Sequence, residues 1–250
     1  MPLTNLWALL AREVTRFRKL WLDTVFSPIV SVALYLSVFG IVVGTKIVGG
    51  VPYLTFVYSG LLSMMLINSS FSNPTFALIL AKNVGTFIDL QLIPIKPWRI
   101  GSAYALAALT RGLVTLVIAL AFTVWFVPDL HLFHPILLIF TICLTGFEFG
   151  LLGFVFGIRA KNFETLTFMT TFVMQPMVFL AGVFYPLSSL PQPWSRIAMF
   201  NPLHANVNVL RYAVTNYQDT SLVFSLVMMS AMTLFLFGIM NWITKKSLRA

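Results

Sequence analysis

Apolar positions in this chain fall in long unbroken runs rather than in alternation. Thr24–Thr45, Ile47–Ala81, Thr165–Ser195 and Thr220–Thr244 carry no charged residue, Ile100–Pro128 holds only Arg111, and Leu130–Ile158 only Glu148. Crossing ~30 Å of hydrocarbon takes about 20 helical residues. The runs therefore predict six membrane-spanning helices, near residues 25–44, 53–75, 101–127, 136–158, 165–183 and 222–243. The runs speak against a membrane β-barrel, whose strands would alternate with period two. Residues 1–21 carry a different pattern. On a helix Leu3, Leu6, Trp7, Leu10, Val14, Phe17 and Trp21 share one narrow arc, with Arg12, Arg16 and Lys19 opposite. Such a helix lies in the membrane interface, rings in the acyl boundary and cations at the headgroups. It is not a signal peptide, since its charges follow the apolar residues.

Composition agrees with the pattern. Hydrophobic residues make up 59% of the 250 and charged residues 9%, against about 25% charged in soluble domains. That excludes a soluble globular domain and a disordered chain alike. Cys143 is the only cysteine, so a disulfide scaffold is excluded too. The net charge of +9 reads as a topology signal rather than a nucleic-acid surface. Twelve of the sixteen basic residues fall before the first span, after the second and fourth, and after the sixth. Lys46, Arg196 and Arg211 fall on the other side and Arg111 within a span. Both termini are expected in the cytoplasm. The whole is read as a single transmembrane domain over 1–250. An interface helix covers 1–21, spans one to five 25–183, an outer re-entrant segment 184–218, and the sixth span 222–243.

Catalytic chemistry finds little support. The chain has no G-x-x-x-x-G-K-[ST], so it cannot cradle ATP phosphates in a P-loop, and no H-E-x-x-H, C-x-x-C or G-x-S-x-G. His131 and His134 have metal-ligand spacing but sit beside Asp129 and Pro135, where a solvated turn is the better reading. No catalytic, cofactor or metal site is expected. Within the spans, the run Asn68-Ser69-Ser70-Phe71-Ser72-Asn73-Pro74 is costly to place against lipid. Asn68, Ser69, Ser72 and Asn73 are therefore expected against other helices or a water-filled cavity, with Pro74 bending the helix. Arg111 and Glu148 lie at matching depth on neighbouring antiparallel spans, and an ion pair between them is expected.

Two connections are informative. Residues 82–99 form the longest loop on the basic side. Thr86 can cap a short helix there, Asp89 suits its first turn and Pro94 stops it. Phe87, Leu90 and Ile93 would share an apolar side fit for a partner's groove or for the chain's own bundle. Residues 184–218 are too interrupted to span and too apolar for a solvated loop, which predicts short helices dipping into the outer leaflet.

Taken together these segments resemble the integral-membrane subunit of ABC-2 type transporters, the bacterial exporter permeases. The resemblance is carried by Gly85-Thr86 with Leu90 and Pro94, by Gly182-Val183-Phe184-Tyr185-Pro186 with Leu190-Pro191, and by Asn201-Pro202-Leu203 followed by Arg211. It implies an all-α membrane protein of six spans, with an amphipathic interface helix and re-entrant helices between spans five and six. It also implies a half-transporter of the inner membrane that pairs with a second copy across spans one and five. Two separate ATPase subunits, holding ATP and magnesium, would dock beneath. The 82–99 loop would be the coupling helix, through Gly85, Thr86, Phe87, Asp89, Leu90 and Pro94. An amphipathic, lipid-linked or glycan substrate would be exported. Three other classes are weaker: an ion-coupled carrier, which keeps ionisable groups at the midplane where this chain has only Arg111 and Glu148; a membrane-embedded lipid enzyme; and an assembly subunit that does not itself transport.

Overall fold

The computed structural model describes residues 4–19, 26–43, 46–92, 95–123, 125, 127 and 132–248. Apolar runs without breakers become helices because a backbone in hydrocarbon must satisfy its own hydrogen bonds. The order is α1 (Thr4–Lys19), α2 (Ser27–Val43), a hairpin of β1 (Ile47–Val48) and β2 (Val51–Pro52), α3 (Tyr53–Val84), α4 (Phe87–Leu92), α5 (Pro97–Thr123) and α6 (Pro135–Arg159). Then come α7 (Phe163–Phe168), a π-helical turn (Met169–Met174), α8 (Gln175–Leu180), a 3-10 turn (Leu187–Ser189), α9 (Trp194–Met199), α10 (Pro202–Thr215) and α11 (Leu222–Leu248). Among the described residues four helices are long and apolar enough to cross a membrane: Tyr53–Val84, Pro97–Phe122, Pro135–Arg159 and Leu222–Ser247. α2 is shorter, with 17 residues, and α7 to α8 is continuous but widened by its π turn.

α3 is the central post, packed on α2, α5, α6 and α10, while α11 rests against α5, α6 and α10. α3 runs well past the end expected near residue 75. Pro74 lies inside it and removes one backbone donor. One residue on, the Thr75 hydroxyl links α3 to α6, 2.8 Å from Phe71 O and 2.9 Å from Gly153 O. α3 ends at Gly85, whose φ of 84° is the left-handed conformation that favours glycine.

A glycine seam on α6 sets the spacing of the frame. Gly146 meets Leu109 and Gly150 meets Ala105 and Ala108, all on α5, while Gly153 meets the Phe71 carbonyl and Gly157 meets Thr75 and Leu78, on α3. Small residues allow backbones to approach this closely.

α1 packs on α5 and α4 on α3, at one end of the bundle. The hairpin gathers with the 182–187 segment and the α10–α11 connection at the opposite end. Its Gly49-Gly50 turn has φ of 56° and 83°, the primed-turn geometry of a two-residue hairpin loop. A side chain at Gly49 would overlap the Tyr217 ring. α10 is capped by Asn201, whose Oδ1 accepts from Leu203 N at 3.0 Å, and is buried along nearly its whole length.

Candidate functional site

At the α1–α4 end the sequence patterns become a groove of about 660 Å³, lined by Arg12, Glu13, Thr15 and Arg16 from α1, Leu80, Ala81 and Val84 from α3, and Thr86 and Asp89 beside α4. Gly85 turns the chain into α4, and the Thr86 hydroxyl points back to Ala81 O at 3.5 Å. Leu90 is turned the other way from the expectation for a partner contact. It is 1% exposed and packs into the chain's own core with Ala77, Leu78 and Ile95, and Phe87 leans on the same cluster. The cause is that α4 is apolar on both sides: Ile88 and Leu92 point outward, 58% and 76% exposed. Ile93 and Pro94 lie outside the described residues.

α1 also departs from a simple interfacial helix. Arg16 faces the bundle rather than headgroups, its Nη2 3.3 Å from both Asn73 O and Asn73 Oδ1. Arg12 donates to Tyr104 Oη at 3.0 Å. Both guanidiniums flank Glu13, 2% exposed, at 3.4 Å from Arg12 and 2.6 Å from Arg16. Glu13 and Tyr104 were not among the sequence candidates. The signal available was that Glu13 is the one acid in α1.

Deeper in the bundle, Asn68, Ser69 and Ser72 of α3 line a cavity of about 290 Å³ with Arg111 of α5 and Gln175 of α8. Its remaining wall is largely apolar, including Val32, Leu61 and Met65. Asn73 does not line it but stands behind, its Oδ1 3.5 Å from Arg111 Nη1. Gln175 follows directly on the π turn, a feature that often marks functional sites.

The expected Arg111–Glu148 ion pair does not form. Arg111 turns to Asn73, and Glu148 accepts instead from Asn206 Nδ2 at 3.3 Å, beside the Thr145–Asn206 hydrogen bond of 2.6 Å. The reasons are register and azimuth: with Gly146 against Leu109 and Gly150 against Ala105, Arg111 and Glu148 stand about one helical turn, ~6 Å, apart along the α5–α6 interface. Glu148 is two residues from both Gly146 and Gly150, so it points about 160° away from the side of α6 that meets α5.

At the opposite end Arg211 is completely buried. Its Nη1 is 3.0 Å from Asp219 Oδ2, its Nη2 donates to Gly182 O at 2.7 Å and Val183 O at 3.3 Å, and its Nε to Ser59 Oγ at 3.3 Å. The guanidinium also lies 3.7 Å from the Phe56 ring centroid. Asp219 accepts further from Leu187 N and Tyr217 Oη. Burial and that carboxylate push the Tyr217 phenol up to about 12. Gly182 and Arg211 thus meet directly. Asn201 ties α10 to Met177 O at 2.6 Å, Pro202 opens α10, Tyr185 donates to Phe179 O at 2.6 Å, and Pro186 O accepts from Ser189. Pro191 stands apart, its carbonyl accepting from Ser195 N at the start of α9. Asp219 and Asn208, which bonds Asp219 N at 2.8 Å, were missed, since neither lies in an apolar run that would make it conspicuous. Of the two candidate metal ligands, His134 stacks on Tyr212 and bonds Asn216. His131 and Asp129 lie outside the described residues.

Comparison with known proteins adds a family. The model described as ABC-2 type transporter matches residues 4–215. The inner membrane transport permease YadH of Escherichia coli is 29% identical over 226 residues, covering 89% of this chain and 86% of that protein. Nodulation protein J of Rhizobium leguminosarum bv. trifolii is 27% identical over 220 residues, covering 83% and 80%. Nodulation protein J of Sinorhizobium fredii is 28% identical over 174 residues, covering 67% and 64%.

Proposed function

This chain belongs to the ABC-2 type transporter family, and from that membership we propose that it is the membrane-spanning half of an ATP-driven exporter of the bacterial inner membrane. The observation that carries the reading is the groove between α1 and α4, with Val84, Ile88 and Leu92 exposed beside it. Apolar side chains presented outside a bundle, next to a polar groove, are the mark of a docking surface. The partner is a separate ATPase subunit that holds ATP and magnesium, since this chain carries no P-loop.

Six crossings then include α2 and the α7–α8 stretch besides the four long helices. The charge asymmetry puts both termini, α1 and α4 in the cytoplasm, and α9 and α10 become the outer re-entrant segment. A second copy pairs across α2 and α7–α8. Supporting this, α2 presents Val30, Leu34 and Val38, and α7–α8 present Phe168, Phe172 and Phe179, as exposed apolar stripes. The cargo is amphipathic, lipid-linked or a glycan, and the chain itself carries out no catalysis. The name of YadH as an inner membrane permease supports the location.

The test is cysteine crosslinking from positions 88 and 92 in a complex of the full chain with its ATPase. The expected result is a crosslinked permease–ATPase species, lost together with transport in Ile88→Asp, Leu92→Asp. Recovery of an active transporter from which α4 crosslinks to nothing but lipid would overturn the reading.

A further inference from the structure

Arg111 stands near the middle of a membrane-spanning helix with its Nε buried and without a hydrogen-bond partner. Among the described residues its hydrogen-bond contact is the 3.5 Å approach to Asn73 Oδ1. Among the described residues no carboxylate pairs with it. Arg16, already matched to Glu13, claims the same amide oxygen. The local set of Arg12, Arg16 and Arg111 therefore has three cations to one carboxylate. A cation at that depth is retained where it meets an anion or lines a polar pathway, and a guanidinium's fork suits phosphate and carboxylate oxygens.

We propose that the cavity beside Arg111 binds the acidic headgroup of an anionic amphipath, a phosphate or carboxylate joined to an apolar chain. Arg111 reads the charge. Asn68, Ser69 and Ser72 supply neutral hydrogen bonds on the same wall, the Ser69 hydroxyl being buried and otherwise unpartnered. Leu61 and Met65 receive the first methylenes of the chain. A volume of about 290 Å³ admits a headgroup rather than a whole lipid. That such a ligand is cargo rests on the transport reading; that it binds does not.

The test uses the purified full chain in detergent without ATPase, so its failure leaves the docking reading, judged by crosslinking, untouched. Thermal stabilisation is titrated with lysophosphatidic acid and with lysophosphatidylcholine of the same acyl chain. The acid is expected to stabilise saturably and the zwitterion not. Arg111→Gln weakens the acid by about tenfold or more, the loss of a charge-assisted hydrogen bond, while Arg111→Lys keeps part of it. Asn68→Asp adds an internal carboxylate to the same wall at constant volume, and is expected to abolish the response in a folded chain. It carries the test should Arg111→Gln not fold. Displacement by phosphatidylglycerol at equal concentration would support the site and make the bilayer's own lipid the occupant. Resistance to displacement would support it with a single-chain cargo. Equal response to the zwitterion, full response to inorganic phosphate alone, or undiminished affinity in both Arg111→Gln and Asn68→Asp would overturn the proposal.

Discussion

Arg211 and Arg111 are both arginines set within an apolar bundle, and the chain treats them in opposite ways. Arg211 has every nitrogen placed on an acceptor and a carboxylate at 3.0 Å, and it ties α3, α10, the 182–183 carbonyls and the α10–α11 connection into one knot. Among the described residues Arg111 has one long hydrogen bond and an unpartnered Nε, with a cavity in front of it. A buried charge whose needs are met inside the chain holds structure together. One left wanting is exposed to whatever enters its cavity.

Removing the satisfied charge should do the most damage. Arg211→Met leaves Asp219, itself 2% exposed, uncompensated, and is expected to cost about 3–5 kcal/mol. Thermal unfolding in detergent should show the loss, with partial recovery when Asp219→Leu is added. A loss no greater than that of an average surface substitution would dissolve the contrast.

Next in size is Gly60→Ala. The new Cβ would lie 2.6 Å from Val183 O and 3.0 Å from Arg211 Nη2, wedging the same knot open at a cost of about 1–3 kcal/mol. Gly238, with nothing near its Cβ position, is the matched control and should accept alanine without loss.

The opposite sign is expected for Arg111→Met in the absence of ligand. On insertion scales an unpaired arginine at the helix centre costs about 2.5–3.5 kcal/mol, so its removal should leave the melting temperature unchanged or raise it. A fall comparable to that of Arg211→Met would mean that Arg111 is structural after all. The smallest effect is expected at Glu148→Gln. No described cation faces this carboxyl, Oε1 is unpartnered, and Asn206 can still donate to an amide oxygen. A change within about 1 kcal/mol follows, where a broken ion pair would show several.

How far the sequence went is clearest at the same residues. The apolar runs predicted helices, and helices stand there, because length and continuity are one-dimensional properties. The placement of Arg111 and Glu148 within facing helices was legible as well, though not the offset of about one turn between them. Azimuth was not, since it depends on which side α6 offers to α5, and that is decided by glycines whose significance appears only when a neighbour's backbone arrives. α4 shows the same limit in another form. With Phe87 and Leu90 on one side and Ile88 and Leu92 on the other, amphipathicity alone could not say which pair faced home. In α1, Arg12 and Arg16 share a side, as their spacing demands, yet that side serves Asn73, Tyr104 and Glu13.

The glycine seam of α6 has a consequence for motion. Interfaces built from long side chains lose rotamer freedom when they close and regain it when they loosen. At Gly150 and Gly153 the opposing atoms are backbone, an alanine methyl and the Pro74 ring, so α6 contributes no χ angle there and its neighbours almost none. Parting the helices at those points would release little side-chain entropy, and thermal hopping between rotamers has nothing to act on. α3, α5 and α6 therefore make a stiff frame, and the freedom to shift belongs to the helices hung on it, α2 and the α7–α8 stretch, whose exposed faces are lined with Leu, Val and Phe.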